Sequence, residues 1–195
     1  MHKSVFVKVI DNETGKIIFR KRIGRINIKK VLNGDLGTDV WGKFLGSLLS
    51  YVPAGSTRGV TLKAEDGVDT FIRTSIPLYG YLVFNDNYDV SLSSLIKLGT
   101  SNTPPARSQF KLQGTVLATL TPNVSYDTDT GMLQVTASWT PTSNVTVYEI
   151  GLFLEMQYSG SSPYKKAFML DRTVIAEGIP VNAGQTLAVG YQLIV

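Results

Sequence analysis

The sequence predicts a mainly β protein, an antiparallel β-sandwich of the jelly-roll or immunoglobulin-like kind, with an N-terminal β-hairpin and one amphipathic helix. Three observations lead to this prediction. Apolar residues alternate with other residues over much of the chain, which is the period of strands that place one face on a core. Turn-forming residues recur about every ten residues. A single segment carries the apolar spacing of a helix.

The first 30 residues are predicted to form a hairpin arm. Val5, Val7 and Val9 occupy one face of the first strand, residues 11–15 are a turn cluster, and a second strand follows from residue 16 to 23. A hairpin alone is marginally stable in water. We therefore expect it to pack on the body of the protein or on a neighbouring subunit.

This arm is strongly basic. Residues 1–30 contain nine Lys or Arg and two acidic residues, net +7, whereas the whole chain is net +4. A basic arm can contact nucleic acid or an acidic partner, but we favour a solvated hairpin edge, where Lys also deters aggregation. Phe19 alone interrupts the basic run, so the aromatic interleaving of single-strand binders is missing. The basic residues assigned to the arm are Lys16, Arg20, Lys21, Arg22, Arg25, Lys29 and Lys30.

Residues 31–55 are predicted to be an amphipathic helix and its linker. Asn33, Gly34 and Asp35 form a capping cluster, and the apolar positions from Leu36 to Leu49 follow one helical stripe. Such a stripe must be buried against another surface. The candidate assembly interface on this helix consists of Leu36, Val40, Trp41, Phe44 and Leu48.

Residues 56–195 are predicted to form the sandwich body. Asp66 and Gly67 indicate a hairpin turn, and the Pro-containing segment 99–108 indicates a surface loop. The segment 145–156 is apolar on both faces and is predicted to be a central strand. The last ten residues alternate, so we expect the C-terminus to lie in a sheet. Strands are predicted at 60–63, 68–76, 79–84, 95–98, 110–120, 133–140, 145–156, 165–174 and 186–195.

Little in the sequence indicates catalysis. His2 is the only histidine and cysteine is absent, which excludes Ser-His-Asp and Cys-His arrangements, disulfides and thiolate metal sites. The segment 37–43 resembles a phosphate loop, but Phe44 stands where Ser or Thr is required. Asp127 and Asp129 fit a hairpin turn better than a calcium loop. We predict no enzymatic activity and assign no catalytic, cofactor or metal residues.

The N-terminus also lacks the apolar segment of a secretion signal, and no apolar run approaches the roughly 18 residues of a membrane span. We expect a protein made in the cytoplasm without a membrane span.

Glu149 is the one charged residue that interrupts an otherwise apolar strand. A buried carboxylate needs a charged partner or several hydrogen bonds. Arg172, in the following strand, is the natural partner by antiparallel pairing. We therefore predict a structural pair between Glu149 and Arg172 rather than a catalytic role.

Short motifs in a particular order carry a family resemblance. They are Asn27 ahead of the helix, Ile96–Pro105 (IKLGTSNTPP), Tyr148–Phe153 (YEIGLF), Leu170–Arg172 (LDR) and Val181–Leu187 (VNAGQTL). Together they resemble a widespread family of small virion structural proteins, the tail-fibre or tail-associated proteins of bacterial and archaeal viruses. The resemblance covers about residues 27–195. It departs at Ser101 and Asn102, where the family often has a glycine, and the basic hairpin has no firm counterpart.

The resemblance implies a β-sandwich in the virion, assembled on a symmetric ring or fibre, without enzymatic activity. The first hypothesis is a tail, nozzle or fibre-base component that contacts copies of itself and other virion proteins and links or presents host-attachment parts. A second is a carbohydrate-binding module that recognises a host-surface glycan. A third is a capsid decoration or genome-contacting protein that uses residues 16–30 on nucleic acid. The aromatic residues available for the second are Tyr79, Tyr81, Tyr88, Tyr158, Tyr164 and Trp139.

Overall fold

A computed structural model of the chain describes residues 2–27, 59–73, 90–158 and 164–194. Within them the chain is mainly β, as predicted, and contains no helix. The strands are β1 (His2–Asp11), β2 (Ile17–Asn27), β3 (Gly59–Lys63), β4 (Asp69–Arg73), β5 (Val90–Gly99), β6 (Val116–Leu120), β7 (Asn123–Asp127), β8 (Met132–Trp139), β9 (Val145–Tyr158), β10 (Tyr164–Val181) and β11 (Gln185–Ile194).

The predicted amphipathic helix falls outside the described residues. So does its candidate assembly interface of Leu36, Val40, Trp41, Phe44 and Leu48. The division of the chain into residues 1–30, 31–55 and 56–195 depends on that middle part and stays a prediction.

The strands form three antiparallel sheets. The five-stranded sheet has the order β2-β1-β11-β8-β7, the four-stranded sheet has the order β10-β9-β5-β6, and β3 pairs with β4. The predicted central strand is confirmed, because β9 lies between β10 and β5. The predicted closing strand is also confirmed as β11, between β1 and β8.

One apolar core lies between the two larger sheets, an arrangement consistent with a β-sandwich. Tyr191 of β11 is completely buried, and its hydroxyl donates to the carbonyl of Ile150 in the other sheet at 3.1 Å. The buried cluster draws on both sheets and consists of Val5, Val7, Val9, Ile96, Leu98, Val135, Val147, Ile150, Leu152, Ile175, Ile179, Val181, Leu187, Val189 and Tyr191.

The N-terminal hairpin belongs to the five-stranded sheet. β1 pairs with β11 along its whole length, from His2 opposite Ile194 to Asp11 opposite Gln185, and with β2 on its other side. Its valines enter the shared core because alternate residues of a strand point to the same face. Of the two placements that the sequence left open, packing on the body is the one observed.

Several strands differ from the prediction, among them β10 and β7. β10 continues to Val181, beyond the predicted end at residue 174. Its register with β9 shifts between Val174 and Ile179, a segment that includes Gly178 at φ 70°, and the pairing then continues from Ile179 to Val181. β7 was not predicted, since its five residues are short and largely polar. The predicted turn after β7 is confirmed: Asp127 Oδ1 accepts from the Asp129 and Thr130 amides at 3.0 and 3.2 Å.

Tyr191 is expected to make the fold sensitive to alkali. Burial raises the pKa of its phenol well above the ordinary value, and the nearby Asp171 carboxylate raises it further. A tyrosine in the unfolded chain ionises near pH 10. The contribution of the neutral Tyr191 phenol to the free energy of unfolding is therefore fully present below about pH 10 and declines above it, by up to about 1.4 kcal/mol per pH unit. Urea unfolding between about pH 8 and 11 measures this decline.

The matched variants for that series are Tyr191→Phe and Tyr126→Phe. The first removes the ionisable group and should flatten the decline, whereas Tyr126 is 58% exposed and its replacement should leave the decline unchanged. An equally steep decline in Tyr191→Phe would show that another group is responsible.

Candidate functional site

The predicted partners Glu149 and Arg172 lie together on the four-stranded sheet. Ile150 belongs to the core between the sheets, so its neighbour Glu149 points to the opposite face. Glu149 is opposite Val174 in β10 and Arg172 is opposite Gly151 in β9, which makes the pair diagonal neighbours. Arg172 Nε donates to Glu149 Oε2 at 2.6 Å, and the side chains are 2% and 0% exposed.

Three backbone amides also bind the Glu149 carboxylate. Oε1 accepts from Ser101 N at 3.3 Å and from Gly114 N at 2.8 Å, and Oε2 accepts from Gln113 N at 3.1 Å. With the guanidinium, these donors match the roughly four acceptor positions of a carboxylate. The buried charge is therefore compensated by a cation and by oriented amides, which is the condition for burying it.

Arg172 extends the same network to a second stretch of backbone. Its Nη1 donates to the Thr103 carbonyl at 2.9 Å and to Gln109 Oε1 at 3.1 Å, and Gln109 Oε1 also accepts from Ala106 N at 3.0 Å. Nη2 has no hydrogen-bond partner among the described residues. The ion pair thus holds both halves of the connection between β5 and β6, residues 100–115, which we call the pinned loop.

Three glycines provide the space for this network. A Cβ at Gly114 would lie 2.5 Å from the Ser101 amide nitrogen, and one at Gly99 would lie 2.6 Å from Glu149 Oε1. A Cβ at Gly151 would lie 2.9 Å from the Leu112 side chain, which packs in this corner of the structure. Larger residues at these positions would force the backbone, the carboxylate or a packed side chain to move.

The pinned loop presents an exposed tip above a packed base. Residues 102–108, including Pro104 and Pro105, are exposed, as predicted for a surface loop. Leu112 is buried and packs on Phe153 and Met169. The tip is therefore held in place from below.

The strand predicted at 110–120 begins only at Val116. The amides of Gln113 and Gly114 bind the Glu149 carboxylate instead of a neighbouring strand. The sequence indicated this network only through Glu149, an acid inside an apolar strand. The backbone amides that bind it could not be identified from the sequence.

The described basic residues of the arm differ in their surroundings. Lys16 and Arg20 are exposed, whereas Lys21 forms an ion pair with Glu177 of β10. Arg22 Nη2 donates to Ser4 Oγ at 3.1 Å and to Gln192 Oε1 at 3.4 Å. Two of the cations therefore have partners within the fold. The side chain of Arg25 and all of Lys29 and Lys30 lie outside what the structure describes.

Among the aromatic residues considered for sugar binding, the structure describes the side chain of Trp139. Trp139 is partly buried and packs against the core cluster, in keeping with a structural position. The side chains of the five tyrosines in that set lie outside the described part of the chain.

Within the described ranges, no three His, Cys, Asp or Glu side chains are grouped closely enough to hold a metal ion. None of the described segments is a helix of the length and apolarity needed to cross a membrane.

The chain was compared with protein-family models, with curated proteins and with solved structures, and none of the three comparisons produced a match.

Proposed function

We propose that the chain is a non-enzymatic virion structural protein, a component of the tail, nozzle or fibre base. It assembles into a symmetric oligomer and links or presents host-attachment parts. Its two larger sheets then form a β-sandwich of the jelly-roll or immunoglobulin-like kind. The partners are copies of the same chain and other virion proteins.

The observation that carries the proposal is the convergence of the motifs on the pinned loop. Glu149 and Gly151 come from one motif, Arg172 from another and Gly99 from a third, yet all meet around one buried ion pair. Thr100 Oγ1 also accepts from Thr115 N at 3.0 Å. Three of the five motifs of the resemblance thus serve one structural purpose, an exposed loop on a rigid scaffold, which is a common way to build a recognition surface.

The hydrogen bonding of the buried Glu149 carboxylate supports a non-enzymatic role. Both oxygens of Glu149 are engaged by donors from the chain itself. A general acid or base must instead reach a proton on a substrate. Glu149 is better suited to holding the pinned loop than to transferring protons.

Light scattering after size exclusion, followed by negative-stain electron microscopy, tests the assembly. We expect the full chain to elute as one discrete oligomer with a symmetric ring or fibre outline, because closed symmetric assemblies are the usual form of such structural subunits. A monomer at every concentration would contradict the proposal.

Immunogold labelling of particles from the source culture tests the location. Label at a single end or vertex is expected for a tail or nozzle component. Label spread over the capsid would favour a decoration protein, and a salt-sensitive gel shift lost in Lys16→Ala with Arg20→Ala would favour contact with nucleic acid.

A further inference from the structure

β7 is an edge strand whose apolar side chains are left uncovered. It ends the five-stranded sheet, and no described residue pairs with its outer edge. Val124 and Tyr126 lie opposite Val135 and Leu133 of β8, on the side of the sheet that faces the core. They are nevertheless 55% and 58% exposed.

The other side of the two sheets is closed. There the edge strands are β2 and β10, and the ion pair between Lys21 and Glu177 joins them. Phe19 and Ile23 of β2 pack against the core cluster from that side. β2 also exposes Ile17 and Ile18, by 52% and 53%. The exposed apolar side chains that lie opposite core residues of the neighbouring strand are those of β7.

β7 also carries little of the usual protection of an edge, with Asp127 as its one charged residue. Natural edge strands carry Lys, Pro or bulges that prevent pairing with another chain. The five residues of β7, NVSYD, include no Lys, Arg or Pro, and their pairing with β8 is regular. β2, by contrast, carries Arg20, Lys21 and Arg22.

We propose that β7 pairs antiparallel with β7 of a second copy, across a two-fold axis at Ser125, and joins two five-stranded sheets into one of ten strands. This inference rests on the proposed function and names the contact that begins the assembly. Ser125 then faces Ser125 of the partner subunit, and Val124 faces Tyr126 of the partner subunit. Main-chain hydrogen bonds supply the pairing, as in other strand additions.

The sequence of β7 is self-complementary in this register. Val124 pairs with an aromatic ring twice, once on each side of the axis, and such pairs contribute about 0.2 to 1 kcal/mol each. Asn123 lies opposite Asp127 of the partner subunit, so no like charges meet. A shift by one residue would place apolar side chains on opposite faces. A shift by two would leave only three of the five residues of β7 paired.

Cysteine cross-linking of the full chain tests the pairing, because the protein has no cysteine of its own. Antiparallel partners lie about 4.5 to 5.5 Å apart between Cα atoms, within the roughly 4.4 to 6.8 Å range of disulfides. Ser125→Cys should form a covalent dimer under mild oxidation. The matched control is Ser138→Cys in β8, also exposed. Its copies would be about 30 Å apart, because they are separated by three strand spacings across the sheet and by about eight residues along the strands.

Val124→Lys provides a second variant that should fold, since the side chain is already more than half exposed. It should lower the oligomer mass at least to the next smaller species, while Val116→Lys on β6, 43% exposed, should not. An oligomeric wild-type chain in which Ser125→Cys cross-links no faster than Ser138→Cys, or Val124→Lys keeps its mass, overturns the β7 contact and leaves the proposed function standing. A wild-type chain that is monomeric at every concentration overturns both.

Discussion

Replacing Glu149 with glutamine is expected to lower the free energy of unfolding by about 3 to 5 kcal/mol, because it leaves the buried Arg172 cation without its counter-charge. The new amide group would also turn donor hydrogens toward at least one of the backbone amides of Ser101, Gln113 and Gly114. For a chain of this length the loss corresponds to a melting temperature roughly 6 to 20 °C lower. Urea and thermal unfolding followed by circular dichroism measure it.

Glu155→Gln is the matched control for this change. Glu155 lies on the same strand and binds Lys165 Nζ at 3.3 Å, but that lysine side chain is 59% exposed. The Glu155 side chain is itself 19% exposed, and removing a partly exposed pair of this kind should cost only about 0 to 1 kcal/mol. Equal losses in Glu149→Gln and Glu155→Gln would contradict the structural pair.

Limited proteolysis gives a second readout of the same variant. If Glu149 holds the pinned loop, Glu149→Gln should be cleaved within residues 100–115 much faster than the wild-type chain or Glu155→Gln, because local opening exposes the backbone. Unchanged cleavage together with a large loss of stability would mean that the pair supports the sheet but not the loop.

Deleting residues 1–27 is expected to abolish cooperative folding. β1 occupies the interior of the five-stranded sheet, so the deletion removes its pairing with β11 and three completely buried valines, Val5, Val7 and Val9. Losing several core side chains at about 2 kcal/mol each exceeds the stability of a typical domain when the lost strand pairing is added. Thermal unfolding should show no transition.

Lys16→Ala combined with Arg20→Ala is the control for the deletion. Both side chains are exposed, so the double variant should stay within about 0.5 kcal/mol of the wild-type stability. An unchanged melting temperature after the deletion would show that the hairpin is a detachable arm. The point variants, not the deletion, are therefore suited to any test of nucleic-acid binding.

The sequence predicted much of the fold because alternation is a local property. Val5, Val7 and Val9 indicated one buried face, and all three are buried in the core. The apolar run from 145 to 156 indicated a central strand, and β9 is central. β7 was not predicted because it is short and largely polar, so its sequence lacks a clear alternation. It is a strand because it pairs with β8.

The candidate site was predictable in its charges and not in its hydrogen bonds. Glu149 stood out as an acid in an apolar strand, and antiparallel pairing indicated Arg172. The amides of the pinned loop could not be anticipated, because every residue except proline carries the same backbone donor.

The sequence by itself determined the strand-rich class, the turns, the surface loop at 99–108 and the need of Glu149 for a charged partner or several hydrogen bonds. The tertiary structure alone decided which strands are neighbours, for example that Ser4 meets Gln192 across 188 residues of chain. The physical reason is that periodicity reports which face of a strand is apolar and does not report which distant strand covers it. For the same reason, only the structure showed that the hairpin belongs to the core sheet and that Val124 and Tyr126 are left uncovered at its edge.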